Sequence, residues 1–305
     1  MSYIKETTKP REMIMKRFSG MGSSAFNLLK ANKPPSQPMA QALKEICDLA
    51  LAKNVRLLPA AEPQNAQAAV DAWTLDLAKR YNSKKIPRPA LIYNTYQCYL
   101  KSTPSTIASH VAIAEAGDFT LGAKLVRGAY METEARSLIH DTKEDTDKCY
   151  DGSAEALMRR EYNDVLQPSG QDAEKIQMPR VDIFLATHNL DSVKHAMRIE
   201  EEQQSAARIA DNKDKAMLGE VTYAQLLGMA DEVSCALLAA QKRTESGVAE
   251  PRVFKYCTWG TMTQCLNYLL RRAMENRDAM GRTKETAHAM RGELIRRMKK
   301  TVRLS

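Results

Sequence analysis

The stretch "VDIFLATHN", Val181 to Asn189, begins as a short apolar run and ends in three consecutive hydrogen-bonding side chains, Thr187, His188 and Asn189. Six other runs share this character: "MIMKRF" (Met13–Phe18), "VRLLPAA" (Val55–Ala61), "ALIYNTY" (Ala90–Tyr96), "AKLVRG" (Ala123–Gly128), "EVTYAQLL" (Glu220–Leu227) and "RVFKYC" (Arg252–Cys257). Between them lie segments such as "QPMAQALKEICDLALAKN" and "NAQAAVDAWTLDLAKRYN", apolar at helical spacing. Strand and helix in alternation indicate parallel βα units. Polar residues stand at the ends of several runs: Gln97, Arg127, Tyr130, His188, Asn189 and Tyr256. A closed (β/α)8 barrel places its site on the loops that follow its strands, which is where these residues fall. An open doubly wound sheet would put a glycine-rich turn after the first strand. "SGMGSS" (Ser19–Ser24) lacks the third glycine and the later ribose-binding acid that such a turn needs. The expected fold is therefore α/β and barrel-like, with seven strands countable.

Within this frame "KLVRGAYMETE" (Lys124–Glu134) sets one cation at the start of a strand and another at its end. Gly128 and Ala129 follow, so main chain can approach a ligand closely where Arg127 offers a fork suited to phosphate. The polar stretch "HDTKEDTDKCYDG" (His140–Gly152) reads as a solvated surface loop, since it lacks the ordered ligand spacing of a calcium site. His110, His140, His195 and His288 read as structural, whereas His188 is set for ligand contact. No histidine–carboxylate cluster suggests a metal, and no serine-nucleophile motif is present. Near the other end of the chain, "CLNYLLRRAMEN" (Cys265–Asn276) puts Tyr268, Arg271, Arg272 and Glu275 at i, i+3, i+4 and i+7, on one helical face. Two adjacent guanidinium groups beside a tyrosine are suited to an anion.

The 305 residues are 44% apolar and 27% charged, enough for a sizeable core and too apolar for global disorder. Six scattered cysteines with no CxxC pair read as reduced thiols, mostly buried. The net charge of +8 owes much to the tail "RGELIRRMKKTVRLS" (Arg291–Ser305), read as a solvated helix or one lying on an anionic surface. Nucleic acid is not an expected partner, because no aromatic residues are interleaved with those charges. The opening "MSYIKETTKPREM" has no apolar signal core.

"TYQCYL", "KLVRGAY", "ATHN", "LLGM" and "YLLRRAMEN", in that order, resemble the proline dehydrogenases, flavoenzymes of proline catabolism, and most closely the eukaryotic, mitochondrial branch. The resemblance implies a distorted (β/α)8 barrel over residues 1–280, incomplete at its N-terminus and without its first strand, then a basic helical tail over 281–305. It also implies that the last helix lies over the strand ends. Arg271 and Arg272 would then clamp the carboxylate of L-proline, and Glu275 would hold that fork or reach toward the flavin. Tyr268, Tyr256 and Leu226 would wall the substrate ring, with Tyr130 near it. FAD would lie across the strand ends: Gln97 at the isoalloxazine edge, Lys124 near the reactive nitrogen. Arg127, Gly128, Ala129, Thr187, His188 and Asn189 would meet the ribityl, diphosphate and adenosine groups. The implied reaction is hydride removal from proline to give pyrroline-5-carboxylate, with electrons passed to quinone or another respiratory-chain acceptor. The implied place is the matrix side of the inner mitochondrial membrane, by peripheral association. The chain departs from the family pattern twice: Ala60 stands where an Asp is usual, and Arg17 where a Lys is usual. These departures motivate the alternative of a catalytically impaired barrel remnant that binds a small carboxylate or a protein partner.

Overall fold

The computed structural model describes residues 13–85, 88–169, 178–209, 219–241, 252–263, 265–266, 268–270, 291, 294–295 and 297–298. Two compact units are present, Met1–Thr222 and Tyr223–Ser305.

The first unit alternates strand and helix: β1 (Met13–Lys16), α1 (Ser23–Lys30), α2 (Gln37–Ala52), β2 (Arg56–Pro59), α3 (Gln64–Tyr81), β3 (Asn94–Gln97), α4 (Thr103–Ala116), β4 (Leu121–Val126), α5 (Lys143–Arg159), β5 (Val181–Ala186) and α6 (Leu190–Ile209). β1 and β2 pair in parallel, as do β3 with β4 and β4 with β5. Leu57 bridges to Ile92, so β2 also meets the chain as it enters β3. Strands that are neighbours both in sequence and in space, all parallel, form the wall of a barrel-type fold. Its core is dense: β4 is buried at every position from Leu121 to Leu125, and β5 at every position from Val181 to Leu185. Such two-sided burial is what near-continuous apolar strands predict. α3 buries Ala66, Ala69, Val70, Trp73 and Leu77, one helical stripe, and Trp73 packs on Phe18 with ring centroids 5.5 Å apart.

The strand entrances are tied by buried polar groups. Asn82 accepts from the amides of Leu91 and Ile92 through Oδ1, and its Nδ2 donates to the carbonyls of Ile92 and Thr120. Asp182, entirely buried, accepts from Ala90 N, Glu220 N and Arg180 Nε. Buried Arg56 reaches Glu220 Oε1 at 2.6 Å and the Tyr93 hydroxyl at 3.1 Å. At this end the unit is bolted shut.

The second unit holds β6 from Tyr223 onward (the strand runs Val221–Leu226), α7 (Asp231–Gln241) and β7 (Val253–Tyr256). β6 and β7 pair in parallel, from Tyr223↔Val253 to Leu226↔Tyr256.

All seven sequence runs hold a strand. The run Ala90–Tyr96 is displaced, since regular pairing with β4 begins only at Asn94. One expectation is overturned: His140–Gly152 is not a loop, because α5 begins at Lys143. Thr142 caps the helix, accepting from Asp145 N, while the Asp145 side chain accepts in return from Thr142 N. That reciprocal capping box outweighs the polar composition, and Cys149 and Tyr150 are buried beneath it. The six cysteines are free; Cys47, Cys98 and Cys149 are buried, but Cys235 and Cys257 are exposed.

Candidate active site

The exits of β3, β4 and β5 carry polar side chains toward a common region. Strand alternation puts Thr95 and Gln97 on one face of β3, and Thr95 registers with Lys124, which registers with Phe184. Lys124 is 3% exposed, and its ammonium lies 5.9 Å from the centroid of the Phe184 ring. Burial lowers its pKa from 10.5 to about 7. Gln97, also buried, accepts from Ala129 N through Oε1 at 3.2 Å, and its Nε2 donates to the Glu62 carbonyl at 3.5 Å.

The segment after β4 reaches past the end of β3 to the loop after β2. The Tyr130 hydroxyl donates to the Ala61 carbonyl at 2.9 Å, and Glu134 Oε1 accepts from Gln64 N at 2.8 Å, which gives the first turn of α3 a carboxylate cap. Arg17 lies over the Tyr130 ring, 5.5 Å from its centroid. Gly128 has φ +154°, and a Cβ there would lie 1.9 Å from Tyr99 Cδ1, so this exposed stretch of main chain requires glycine.

Arg127 is held in a network of side chains. Its Nε donates to Asp147 Oδ1 at 2.6 Å, Nη1 to Thr187 Oγ1 at 2.7 Å and Nη2 to Ser192 Oγ at 2.9 Å, and it stacks 4.4 Å from the Tyr150 centroid. Burial alone would raise the Asp147 carboxyl, but hydrogen bonds from Lys143 and Arg127 hold it below the usual range. Thr187 Oγ1 also accepts from Asn189 N at 3.0 Å, and Asn189 Oδ1 accepts from Asp191 N and Ser192 N, which caps α6. His188 is half-buried between them. The β4 and β5 exits are thus joined through Arg127, and Asp147 and Ser192 complete that joint without having been singled out in the sequence. The T-x-x-D pattern at Thr142–Asp145 was the available signal for Asp147, because it starts the helix that carries it.

Leu226, Tyr256 and Tyr268 belong to the second unit. There Tyr256, the last residue of β7, packs on Tyr268 with centroids 5.9 Å apart, so the helical residues 268–270 begin against that strand's end. Arg271, Arg272 and Glu275 lie outside the described residues. His110 is structural as expected, with Nδ1 2.9 Å from the Tyr96 hydroxyl. His195 pairs with Glu155 at 3.1 Å.

A proline dehydrogenase family model matches residues 2–285. The chain belongs to the proline dehydrogenase family. Its relatives include the probable mitochondrial proline dehydrogenase of Schizosaccharomyces pombe, 34% identical over 256 residues, covering 83% of this chain and 49% of the relative. The mitochondrial proline dehydrogenase 1 of Homo sapiens is 32% identical over 262 residues, covering 86% of this chain and 39% of its own length. This family member therefore spans about half the length, or less, of the relatives it matches. Among solved structures, proline utilization A from Bdellovibrio bacteriovorus superimposes with a TM-score of 0.60 at 16% identity, over 86% of this chain and 24% of that one. At that identity the likeness supports the parallel α/β fold.

Proposed function

We propose that this family member takes part in the oxidation of L-proline to pyrroline-5-carboxylate, with FAD as cofactor and quinone as the final acceptor. The observation that carries the reading is buried Gln97 at the end of β3, bonded to the exposed main chain of Ala129 beside Gly128, with buried Lys124 on the neighbouring strand in register with Thr95. These groups fit a flavin. A planar ring with carbonyl and imine acceptors suits an amide and an ammonium held out of water, and glycine admits the ring edge to the main chain. When bound, FAD supplies the hydride acceptor.

The protein's part is to bind, orient and keep water away. Lys124 Nζ, whose pKa burial lowers to about 7, would be held protonated by an electron-rich ring beside it. Tyr130 is held by Ala61 and Arg17 at the edge of the same loop cluster. Thr187, His188 and Asn189 present hydroxyl, imidazole and amide groups toward the nucleotide portion. Arg127 fixes their geometry from behind through three of its five N–H groups and keeps the remaining N–H groups for the diphosphate. Arg271 and Arg272 bind the substrate carboxylate in bidentate fashion, Glu275 steadies them, and Leu226, Tyr256 and Tyr268 contact the ring. Relatives named mitochondrial support that compartment, with the basic tail resting on the inner membrane's matrix face.

The test is spectroscopic. The chain purified with FAD is yellow, and anaerobic L-proline bleaches the flavin band. Arg271→Met weakens proline binding far more than FAD binding, whereas equal losses would mark misfolding. The alternative, a barrel that binds a small carboxylate without flavin, rests on Ala60. It is favoured if calorimetry finds a cyclic carboxylate bound when FAD is absent.

A further inference from the structure

Behind β3 lies a buried polar network that the proposed reaction leaves unused. Alternation along the strand turns Asn94 and Tyr96 to the face opposite Gln97. Asn94 is 2% exposed, and its Nδ2 donates to Asp71 Oδ1 on α3 at 2.9 Å. Its own side-chain oxygen, equally buried, receives no hydrogen bond. The same Asp71 oxygen accepts from Gln67 Nε2 at 2.7 Å, which leaves Gln67 Oε1 to accept from Glu62 N at 2.7 Å. The Glu62 carbonyl then receives Gln97 Nε2. An unbroken path therefore runs from a carboxyl group on α3 to the amide at the exit of β3.

We propose that Asp71 is a positioning residue for Gln97, and that it holds the path in place by sharing a proton with the side-chain oxygen of Asn94. The role for Gln97 rests on the flavin reading above. A carboxyl and a primary amide side by side complete two hydrogen bonds only when the carboxyl is neutral. The amide N–H then donates to one carboxyl oxygen, and the O–H on the other donates to the amide oxygen. The empty acceptor on Asn94 marks where that proton belongs, since buried polar atoms are nearly always satisfied.

The surroundings agree. Burial raises Asp71 from 3.8 to about 6, against hydrogen bonds from Asn94 and Gln67 that work to lower it. The titratable groups facing it across the network are Tyr96 on β3 and His110 on α4. Burial lifts Tyr96 above its ordinary range and lowers His110 to about 4, so both stay neutral while Asp71 titrates. A cavity of about 160 Å³ lined by Gln64, Gln67, Asp71, Thr95 and Thr106 adjoins the carboxyl. It has room for several waters at roughly 30 Å³ each, a route for proton exchange.

Asparagine at position 71 is the isosteric copy of the neutral acid: its oxygen accepts from Gln67 and Asn94, and its N–H donates to Asn94. The experiment measures FAD affinity of the full chain by calorimetry from pH 5 to 8, alongside infrared titration of protonated carboxyl groups. Asp71→Asn should bind FAD as the unaltered chain does at pH 5, with one titrating carboxyl band gone and a flatter pH profile. The unaltered chain should weaken by about fivefold to tenfold above pH 6, the worth of one hydrogen bond. Gln67→Met, which leaves Asp71 intact, should show a similar loss at every pH, and covers the case in which Asp71→Asn does not fold. Wild-type affinity for FAD in Gln67→Met, or an unchanged set of carboxyl bands in Asp71→Asn, overturns the inference alone. A wild-type chain that takes up no FAD at any pH overturns the flavin reading, and the positioning role falls with it.

Discussion

Asp182→Asn tests whether the strand entrances are held by one buried carboxylate. Asp182 is fully buried, with Ala90 N on Oδ2 at 2.6 Å and Glu220 N and Arg180 Nε on Oδ1 at 2.8 and 3.1 Å. Asparagine keeps one acceptor and turns the other into an NH2 group. Because the two main-chain amides sit on different oxygens, either orientation sets N–H against N–H at one of them. A hydrogen bond to a charged group is worth about 1.5–3 kcal/mol, and a stranded buried donor costs about 1–3 kcal/mol more. Arg180 is partly exposed, so its share is small. The expected loss is about 3 kcal/mol. With a urea slope of about 2–3 kcal/mol/M, the midpoint falls by about 1 M. Trp73 fluorescence reports this unit, because Trp73 is 5% exposed whereas Trp259 is already 94% exposed in the folded chain. A midpoint displaced by less than about 0.3 M refutes the reasoning, since the lost bonds would then be worth far less than a charged hydrogen bond.

Other substitutions test the opposite end of the strands. Lys124→Met should stabilise the flavin-free chain at pH 7 and abolish FAD binding; a depressed lysine pKa makes the unfolded state bind the extra proton between about pH 7 and 10.5, so wild-type stability should climb with pH across that window and the variant's should not. Gly128→Ala should cost about 2–4 kcal/mol in thermal unfolding, because the φ is strained for alanine and Tyr99 must move. Arg127→Lys should destabilise by about 2 kcal/mol or more and loosen nucleotide binding, because one ammonium cannot serve Asp147, Thr187 and Ser192 together; a melting temperature equal to wild type would count against the joint. Ala60→Asp should leave stability within about 0.5 kcal/mol and should not reduce proline turnover, since Ala60 is only partly buried.

What the sequence made legible follows from how local its causes are. The seven strands were readable because each is a short apolar run, and β3 to β6 are buried on both faces, a pattern fixed by composition within four to six residues. Gln97, Lys124 and Thr187 stand out in the sequence by their place after or within those runs. α5 was missed because charge density outranked capping in the reading, although Thr142 and Asp145 settle the helix between themselves. Asp71 and Glu134 were invisible for another reason: each bonds a partner on a different element, Asn94 of β3 and the Gln64 amide of α3. Glu134 caps a helix seventy positions earlier, and nothing in "METE" hints at it. Arg127 shows the converse: its place at the exit of β4 is legible, but its bonds to Asp147, Thr187 and Ser192 are not, because those partners lie 20 to 65 positions away.

The loop after β2 joins these observations. Four groups from three other regions hold it: Ser19 on the Glu62 carboxylate, Gln67 on the Glu62 amide, Tyr130 on the Ala61 carbonyl and Glu134 on the Gln64 amide. None of these bonds involves the side chain of residue 60. Loop shape and the chemistry at position 60 are therefore separable, and an alanine there removes a functional group without releasing the backbone that would carry it. The strain at Gly128 works to the same end, because it turns the segment bearing Ala129 and Tyr130 back across the exit of β3 to meet that loop. A site assembled from loops of three strands stays rigid only if the loops bind one another, and here their main-chain amides and carbonyls are tied by buried Gln67 and Gln97 and half-buried Tyr130 and Glu134.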